Sequence, residues 1–182
     1  DVLGGIAVVL YPVLSRQQHD RARLHATYYE TLQLATLFAF PILALLAITV
    51  PVLIPWLLGS TWQPMILTVQ ILALGGLRSA TTMLNGPVYR ALGMPHVHTW
   101  LELASLPCYL TAFVVGTRFG IEGVALLFVL TGILLHPLSW LLLYSVAGIS
   151  LRRWIVAILP ASTVTLLIAL VTIPVLHVTA YN

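Results

Sequence analysis

Residues 32–58 read LQLATLFAFPILALLAITVPVLIPWLL and carry no charged side chain. The hydrocarbon core of a bilayer is about 30 Å thick, and about 20 apolar helical residues cross it. The stretch therefore predicts a transmembrane helix, and the apolar residues 1–14 predict the end of a truncated one. Further stretches of the same kind are residues 65–88, 99–117, 124–146 and 154–178. We expect an all-α fold, a polytopic transmembrane helix bundle of five full helices plus the end of a sixth.

The composition of the chain supports this expectation. Hydrophobic residues make up 60% of the 182 residues, charged residues only 7%, and the mean hydropathy is +1.02. Soluble domains average about 25% charged residues, and disordered chains combine low hydrophobicity with high charge. Both classes are therefore excluded. No basic patch with interleaved aromatic residues indicates a nucleic-acid partner, and the single cysteine, Cys108, allows no intrachain disulfide.

The arginines predict the orientation of the helices. All eight basic residues are arginines, and six of them lie in the segments 15–31, 89–98 and 147–153. The loops of the opposite side carry only Arg118. Because cytoplasmic loops are enriched in basic residues, we expect those three segments to be cytoplasmic and residues 179–182 to form an outer end.

The segment 15–31 is the longest polar stretch of the chain. Leu24 and Tyr28 are four residues apart among arginines, which predicts an amphipathic cytoplasmic loop that contains a short helix lying at the inner membrane surface. The alternative is an ordinary connector that obeys the positive-inside rule. On the first interpretation, anionic lipid headgroups would face Arg16, Arg21 and Arg23.

Arg78 is the most informative single residue, because it lies ten residues inside the predicted helix 65–88. At 1.5 Å per residue it is about 15 Å deep, near the middle of the bilayer. A charge there costs at least about 2.5 kcal/mol, so it should face protein or a water-filled cavity. The functional hypothesis is a fixed cation that binds phosphate or carboxylate oxygens through its planar fork. The alternative is a structural arginine that pairs with backbone carbonyls or with Glu102.

Two further polar residues fall within predicted helices. His136 has a depth similar to that of Arg78 and could donate to a ligand or pack between helices. Glu102 lies near the predicted inner end of the helix 99–117, where it is a structural or coupling candidate. No spacing is typical of a catalytic triad, a zinc protease or a phosphate-binding loop, and the loop pair His96 and His98 favours solvation over metal binding. We expect neither enzyme activity nor a bound metal or cofactor.

Five short motifs, in this order, resemble a known family. They are YPVLSRQ at 11–17, PVLIPWLLGSTWQP at 51–64, QILALGGLRS at 70–79, NG at 85–86 and ALGMP at 91–95. The chain is similar to the oligosaccharide flippases of the bacterial polysaccharide transporter family. That family belongs to the multidrug/oligosaccharidyl-lipid/polysaccharide exporter superfamily. Met94 stands where the family often has an arginine.

The resemblance implies a two-lobed membrane protein of the bacterial inner membrane, of which this chain would be the C-terminal lobe, with the N-terminal lobe missing. It implies a flippase that carries undecaprenyl-pyrophosphate-linked oligosaccharides by alternating access. Such a protein would serve the synthesis of lipopolysaccharide O-antigen, capsule or exopolysaccharide. The candidates for the substrate cavity are Arg78, His136 and Asn85. The partners would be the lipid-linked oligosaccharide, the bilayer and other polysaccharide-assembly proteins.

Two other functions stay open. One is a cation-coupled drug or metabolite exporter of the same superfamily, which should use acidic residues inside the membrane, and Glu102 is the main candidate. The other is a non-transporting membrane protein of the polysaccharide pathway, which would not need an arginine at mid-membrane depth. The coupling ion, the glycan and the oligomeric state are not specified by the sequence.

Overall fold

The computed structural model describes residue 12, residues 14–17 and residues 20–180, with side chains up to residue 174. The predicted truncated helix, residues 1–14, and the last two residues of the predicted outer end lie almost wholly outside the described residues. From Arg21 onward the chain is helical apart from short turns. The helices are α1 (Arg21–Leu58), α2 (Met65–Thr82), α3 (Asn85–Ala91), α4 (Pro95–Gly116), α5 (Gly120–Ala147) and α6 (Leu151–Ala180).

Four apolar segments of the described chain are long enough to cross a membrane: Arg21–Leu58, Met65–Ala91, Pro95–Ala147 and Leu151–Pro174. The third has 53 residues and would measure about 80 Å as one straight helix. It instead folds back at the 3₁₀ turn Thr117–Phe119, so that α4 packs against α5. Gly116 permits this approach, because a Cβ there would lie 2.7 Å from Val124 Cα. The predicted all-α, polytopic transmembrane helix bundle is confirmed.

The first helix begins earlier than the sequence predicted. Residues 21–31 were expected to form a short amphipathic helix within a cytoplasmic loop, separate from the membrane-spanning helix 32–58. They are instead continuous with that helix as the first three turns of α1, and the Asp20 carboxylate accepts a hydrogen bond from the Arg23 backbone N–H at 3.1 Å. Leu24, Tyr28 and Leu32 are spaced four residues apart and are fully buried. This face of α1 therefore packs into the bundle, whereas a separate surface helix would have placed it at the membrane interface.

The predicted helix 65–88 is interrupted. α2 ends at Thr82, and α3 starts at Asn85 after a turn of two residues. Pro87 favours this break, since proline has no backbone N–H and is tolerated in the first turn of a helix but not in its interior. Gly86 then lets α4 approach, because a Cβ at Gly86 would lie 2.6 Å from His98 Cδ2.

The helices pack in a simple order. α1 contacts α2 and α6, α2 also contacts α5, and α5 contacts α4, while α3 lies between α4 and α5. A buried apolar cluster closes one end of the bundle, at the turn between α5 and α6. Its members are Leu14, Leu24, Tyr28, Leu32, Leu84, Val88, Tyr89, Ala91, Leu143, Ala147, Ile149 and Ala157. We call this region the closed end.

Hydrogen bonds attach α1 to the turn between α5 and α6 at the closed end. The Tyr29 hydroxyl accepts from the Ser150 backbone N–H at 2.9 Å. The His25 Nε2 atom lies 2.7 Å from the Ala147 carbonyl oxygen, and Arg21 Nη1 donates to the Val146 carbonyl at 3.2 Å. Polar groups of the first turns of α1 thus satisfy the carbonyls at the end of α5, which would otherwise lack partners.

Candidate functional site

A cavity of about 420 Å³ lies between α2, α3, α4 and α5. All four residues that the sequence singled out within the predicted helices line it: Arg78, Asn85, Glu102 and His136. The structure therefore brings together side chains that are up to 58 positions apart in the sequence (78 to 136). We call it the polar cavity.

Arg78 contributes the positive charge of the polar cavity. It lies near the middle of the apolar segment Met65–Ala91 and is half-buried. Its guanidinium lies against α5 at Gly132, where a Cβ would be 2.7 Å from Arg78 Nε. Gly132 therefore provides the space in which the arginine crosses from α2 to α5.

The Arg78 guanidinium uses little of its hydrogen-bonding capacity within the chain. Its Nη2 atom donates to Ser79 Oγ at 3.4 Å, and its buried Nε has no hydrogen-bond partner in the part of the chain that the structure describes. Among the described residues, no carboxylate oxygen lies within 4 Å of a nitrogen of the Arg78 guanidinium. An arginine has five N–H donors in a planar fork, so most of them are available to a ligand in the polar cavity.

His136 lies one turn beyond Gly132 on α5, which places it on the same side of that helix. Its ring packs against Trp154 of α6, with ring centroids 5.6 Å apart. The Nδ1 atom is buried and has no partner among residues 20–174. Packing and ligand binding, the two roles considered for this histidine, are therefore compatible.

Asn85 joins α3 to α5. Its Nδ2 atom donates to Ser139 Oγ at 3.1 Å, and the residue is only 7% exposed. Its Oδ1 atom is also buried without a partner in the described residues. The amide is thus fixed by one hydrogen bond and retains an unused acceptor beside the polar cavity.

Glu102 does not pair with Arg78, contrary to the structural alternative raised for the arginine. Its carboxylate lies 3.7 Å from His98 Nδ1, one turn earlier on α4. His98 was predicted to lie in a solvated loop, but α4 already begins at Pro95, so the histidine is helical and lines the polar cavity. The His98 ring lies edge-on to the Tyr89 ring, with the two ring centroids 6.1 Å apart.

The sequence interpretation missed a polar stripe on α4. His98, Glu102, Ser105 and Tyr109 recur at intervals of three or four residues and all line the polar cavity. This spacing places side chains on one face of a helix. The stripe was readable in the sequence once the helix was begun at Pro95, a residue common at the first position of helices.

The three arginines predicted to face lipid headgroups lie outside the polar cavity. Arg23 pairs with Asp20 at 3.0 Å, Arg21 bonds to the Val146 carbonyl, and Arg16 is exposed. Their contact with lipid stays a prediction. Within the described residues, histidine, cysteine and acidic side chains form no group of three or more that could hold a metal ion.

Comparisons with known proteins give two matches. A family model described as "Polysaccharide biosynthesis protein" matches residues 2–67. The Escherichia coli (strain K12) protein "Lipopolysaccharide biosynthesis protein WzxC" is 26% identical over 155 residues, which cover 84% of this chain. The chain spans about a third of the length of that relative, since the match covers 32% of it. No solved structure matches the chain.

The family match covers α1 and the start of α2, and the WzxC match extends the likeness along most of the chain. Both agree with the resemblance drawn from the five sequence motifs. Together with the helical membrane architecture, they support the likeness of this chain to the polysaccharide transporter family.

Proposed function

We propose that the chain is part of a flippase that carries undecaprenyl-pyrophosphate-linked oligosaccharides across the bacterial inner membrane. The products would be lipopolysaccharide O-antigen, capsule or exopolysaccharide. The observation that carries this proposal is Arg78, a mid-span cation in the polar cavity whose N–H donors are largely unused within the described chain.

The physical problem of such transport matches what the cavity offers. Sugar hydroxyls and a pyrophosphate lose their hydrogen bonds to water in hydrocarbon, at a cost of several kcal/mol for each polar group. The polar cavity would replace these bonds with donors and acceptors from Arg78, Asn85 and His136. The guanidinium suits the pyrophosphate because it binds phosphate oxygens through two parallel hydrogen bonds. The polyprenyl tail could stay in the surrounding lipid.

Transport would take place by alternating access, with this chain supplying one lobe of a longer protein. The relative's greater length is consistent with a second lobe. No covalent bond of the substrate changes in this process, so the protein would act as a transporter and not as an enzyme. Other polysaccharide-assembly proteins would supply and consume the lipid-linked oligosaccharide.

A cation-coupled exporter of the same superfamily is the second candidate. One observation favours it: the Glu102 carboxylate and the His98 imidazole lie 3.7 Å apart on the wall of the polar cavity. The two candidate functions differ in the role that they give to Arg78. An anionic lipid-linked substrate needs the fixed cation, whereas export of a cationic drug would be opposed by it.

The test is the replacement of Arg78 in the full-length protein, with surface polysaccharide as the readout. Arg78→Ala should lower export by at least about tenfold, because a hydrogen bond to a charged group is worth about 1.5–3 kcal/mol. Arg78→Lys should retain part of the activity, since it keeps the charge but loses the fork.

The matched control is Arg118→Ala, which removes an exposed arginine in the turn between α4 and α5. It should export normally, and all three variants should reach the membrane in equal amounts. Normal surface polysaccharide in a well-inserted Arg78→Ala strain would remove the arginine from the mechanism.

A further inference from the structure

A second cavity, separate from the polar cavity, lies between α1 and α6 at the closed end of the bundle. Its volume is about 370 Å³, and it shares no lining residue with the polar cavity. We call it the α1–α6 groove. Its walls are formed by Tyr29, Gln33, Arg152, Arg153, Val156 and Ala157.

The lining residues of the groove are arranged in two levels. Tyr29 and Gln33 are one turn apart on α1, and on α6 the two arginines lie one turn before Val156 and Ala157. The level nearer the end of the bundle is therefore basic and aromatic. The level nearer the membrane interior is apolar on the α6 side, where buried Ala157 leaves the space open.

The two arginines form no ion pair in the described residues, and the only electrostatic interaction recorded for them there is that of Arg153 with Tyr29. Neither Arg152 nor Arg153 lies within 4 Å of a carboxylate in the described part of the chain. They are not needed to satisfy the end of α5 either, because the carbonyls of Val146 and Ala147 are already bonded by Arg21 and His25.

Their position is also electrostatically unfavourable in the absence of an anion. Both lie in the first turn of α6, which contains no acidic residue. The N-terminus of a helix carries a partial positive charge, and cations are destabilising there. A bound phosphate would be stabilised by the guanidinium groups and by the helix terminus together.

We propose that the α1–α6 groove binds an anionic glycerophospholipid, with its phosphate at Arg152 and Arg153 and an acyl chain along Val156. The polar rim and apolar floor match the two parts of such a lipid. The arginine distribution assigns this end of the bundle to the cytoplasmic leaflet, whose anionic lipids attract basic side chains. The site is independent of the transport substrate.

The test uses the full-length protein in phosphatidylcholine vesicles that contain phosphatidylglycerol with a photoreactive acyl chain. After illumination and digestion, mass spectrometry should find the label on peptides that contain Gln33 or Val156. Arg152→Gln/Arg153→Gln should lower this labelling about thirtyfold, because each of the two basic residues contributes about 1 kcal/mol at an anionic surface. Arg152→Lys/Arg153→Lys should preserve it.

A second pair of variants tests the groove without a change of charge. Val156→Trp fills the groove and should abolish the labelling there. Leu159→Trp places the same bulk at an exposed position of α6 outside the groove and should leave the labelling unchanged.

Three results would overturn the proposal. Equal labelling of the wild type and the double glutamine variant would show that the two arginines do not bind the lipid phosphate. Equally strong competition by inorganic phosphate would indicate a simple anion site. Displacement by undecaprenyl phosphate at far lower concentrations than by phosphatidylglycerol would assign the groove to a polyprenyl lipid.

Discussion

The closed end and the polar cavity differ in how they treat their polar groups. At the closed end, Tyr29, His25 and Arg21 bond to the backbone around the turn between α5 and α6. Around the polar cavity, buried atoms of Arg78, Asn85 and His136 have no partner in the described chain. Buried polar groups in proteins are almost always hydrogen-bonded. Tyr28 and Tyr89 of the closed end also bury a hydroxyl without a partner among the described residues. The difference therefore lies in the arginine and the histidine of each region, which bond to backbone carbonyls at the closed end and are left for water or a ligand at the polar cavity.

The orientation of the two regions can be tested by an all-or-none measurement. In a Cys108→Ala background, single cysteines at Ser60 and at His96 both occupy exposed positions. If the arginine bias sets the topology, an impermeant maleimide should label Ser60→Cys in intact cells. It should label His96→Cys only after the membrane is opened. Labelling of His96→Cys in intact cells would invert the assignment.

The closed end should be the more sensitive region in stability. Leu24→Ala removes a fully buried side chain and should lower the free energy of unfolding by about 2–5 kcal/mol. Leu34→Ala, on the same helix at 58% exposure, should change it by less than about 0.5 kcal/mol. Denaturant unfolding in mixed micelles measures both. Equal losses in the two variants would show that the closed end is not a packed core.

The polar cavity should be the more sensitive region in export. Gly132→Ala would force the Arg78 guanidinium away from α5 and should lower export by about tenfold, which corresponds to about 1.4 kcal/mol. Gly76→Ala is the matched control, because its Cβ would meet only the flexible end of Leu43. Unchanged export in Gly132→Ala, with normal amounts in the membrane, would contradict the placement of the arginine.

The smallest expected effect concerns the bond between α3 and α5. A double-mutant cycle of Asn85→Ala and Ser139→Ala should give a coupling of about 0.6–1.7 kcal/mol, typical of hydrogen bonds between membrane helices. The readout is the free energy of unfolding, and Asn85 should in addition affect export. Additive effects of the two substitutions would show that the 3.1 Å contact contributes nothing.

Most of the helices could be predicted because hydropathy and the bilayer thickness constrain them strongly. The start of α1 was missed because Arg21 and Arg23 were taken to indicate a separate helix at the membrane surface. Residues 21–31 contain neither glycine nor proline that would end such a helix before residue 32. The polar stripe of α4 was missed for a similar reason, since His98 was assigned to the preceding loop.

The joint position of Arg78 and His136 could be anticipated by counting their depth along two helices. Which faces of α2 and α5 meet could not be anticipated. That depends on close contacts such as Gly132 with Arg78 and Gly75 with Val129, and hydropathy does not specify the rotation of a helix about its axis.

The polar stripe of α4 has a consequence for how the sequence can vary. Leu103, Leu106 and Leu110 lie outside this stripe and are exposed, so α4 has a polar face and an apolar face. Inserting or deleting one residue after Glu102 would rotate Ser105 and Tyr109 by about 100° and remove them from the face that lines the polar cavity. Related sequences should therefore tolerate substitutions along α4 far better than insertions or deletions within it.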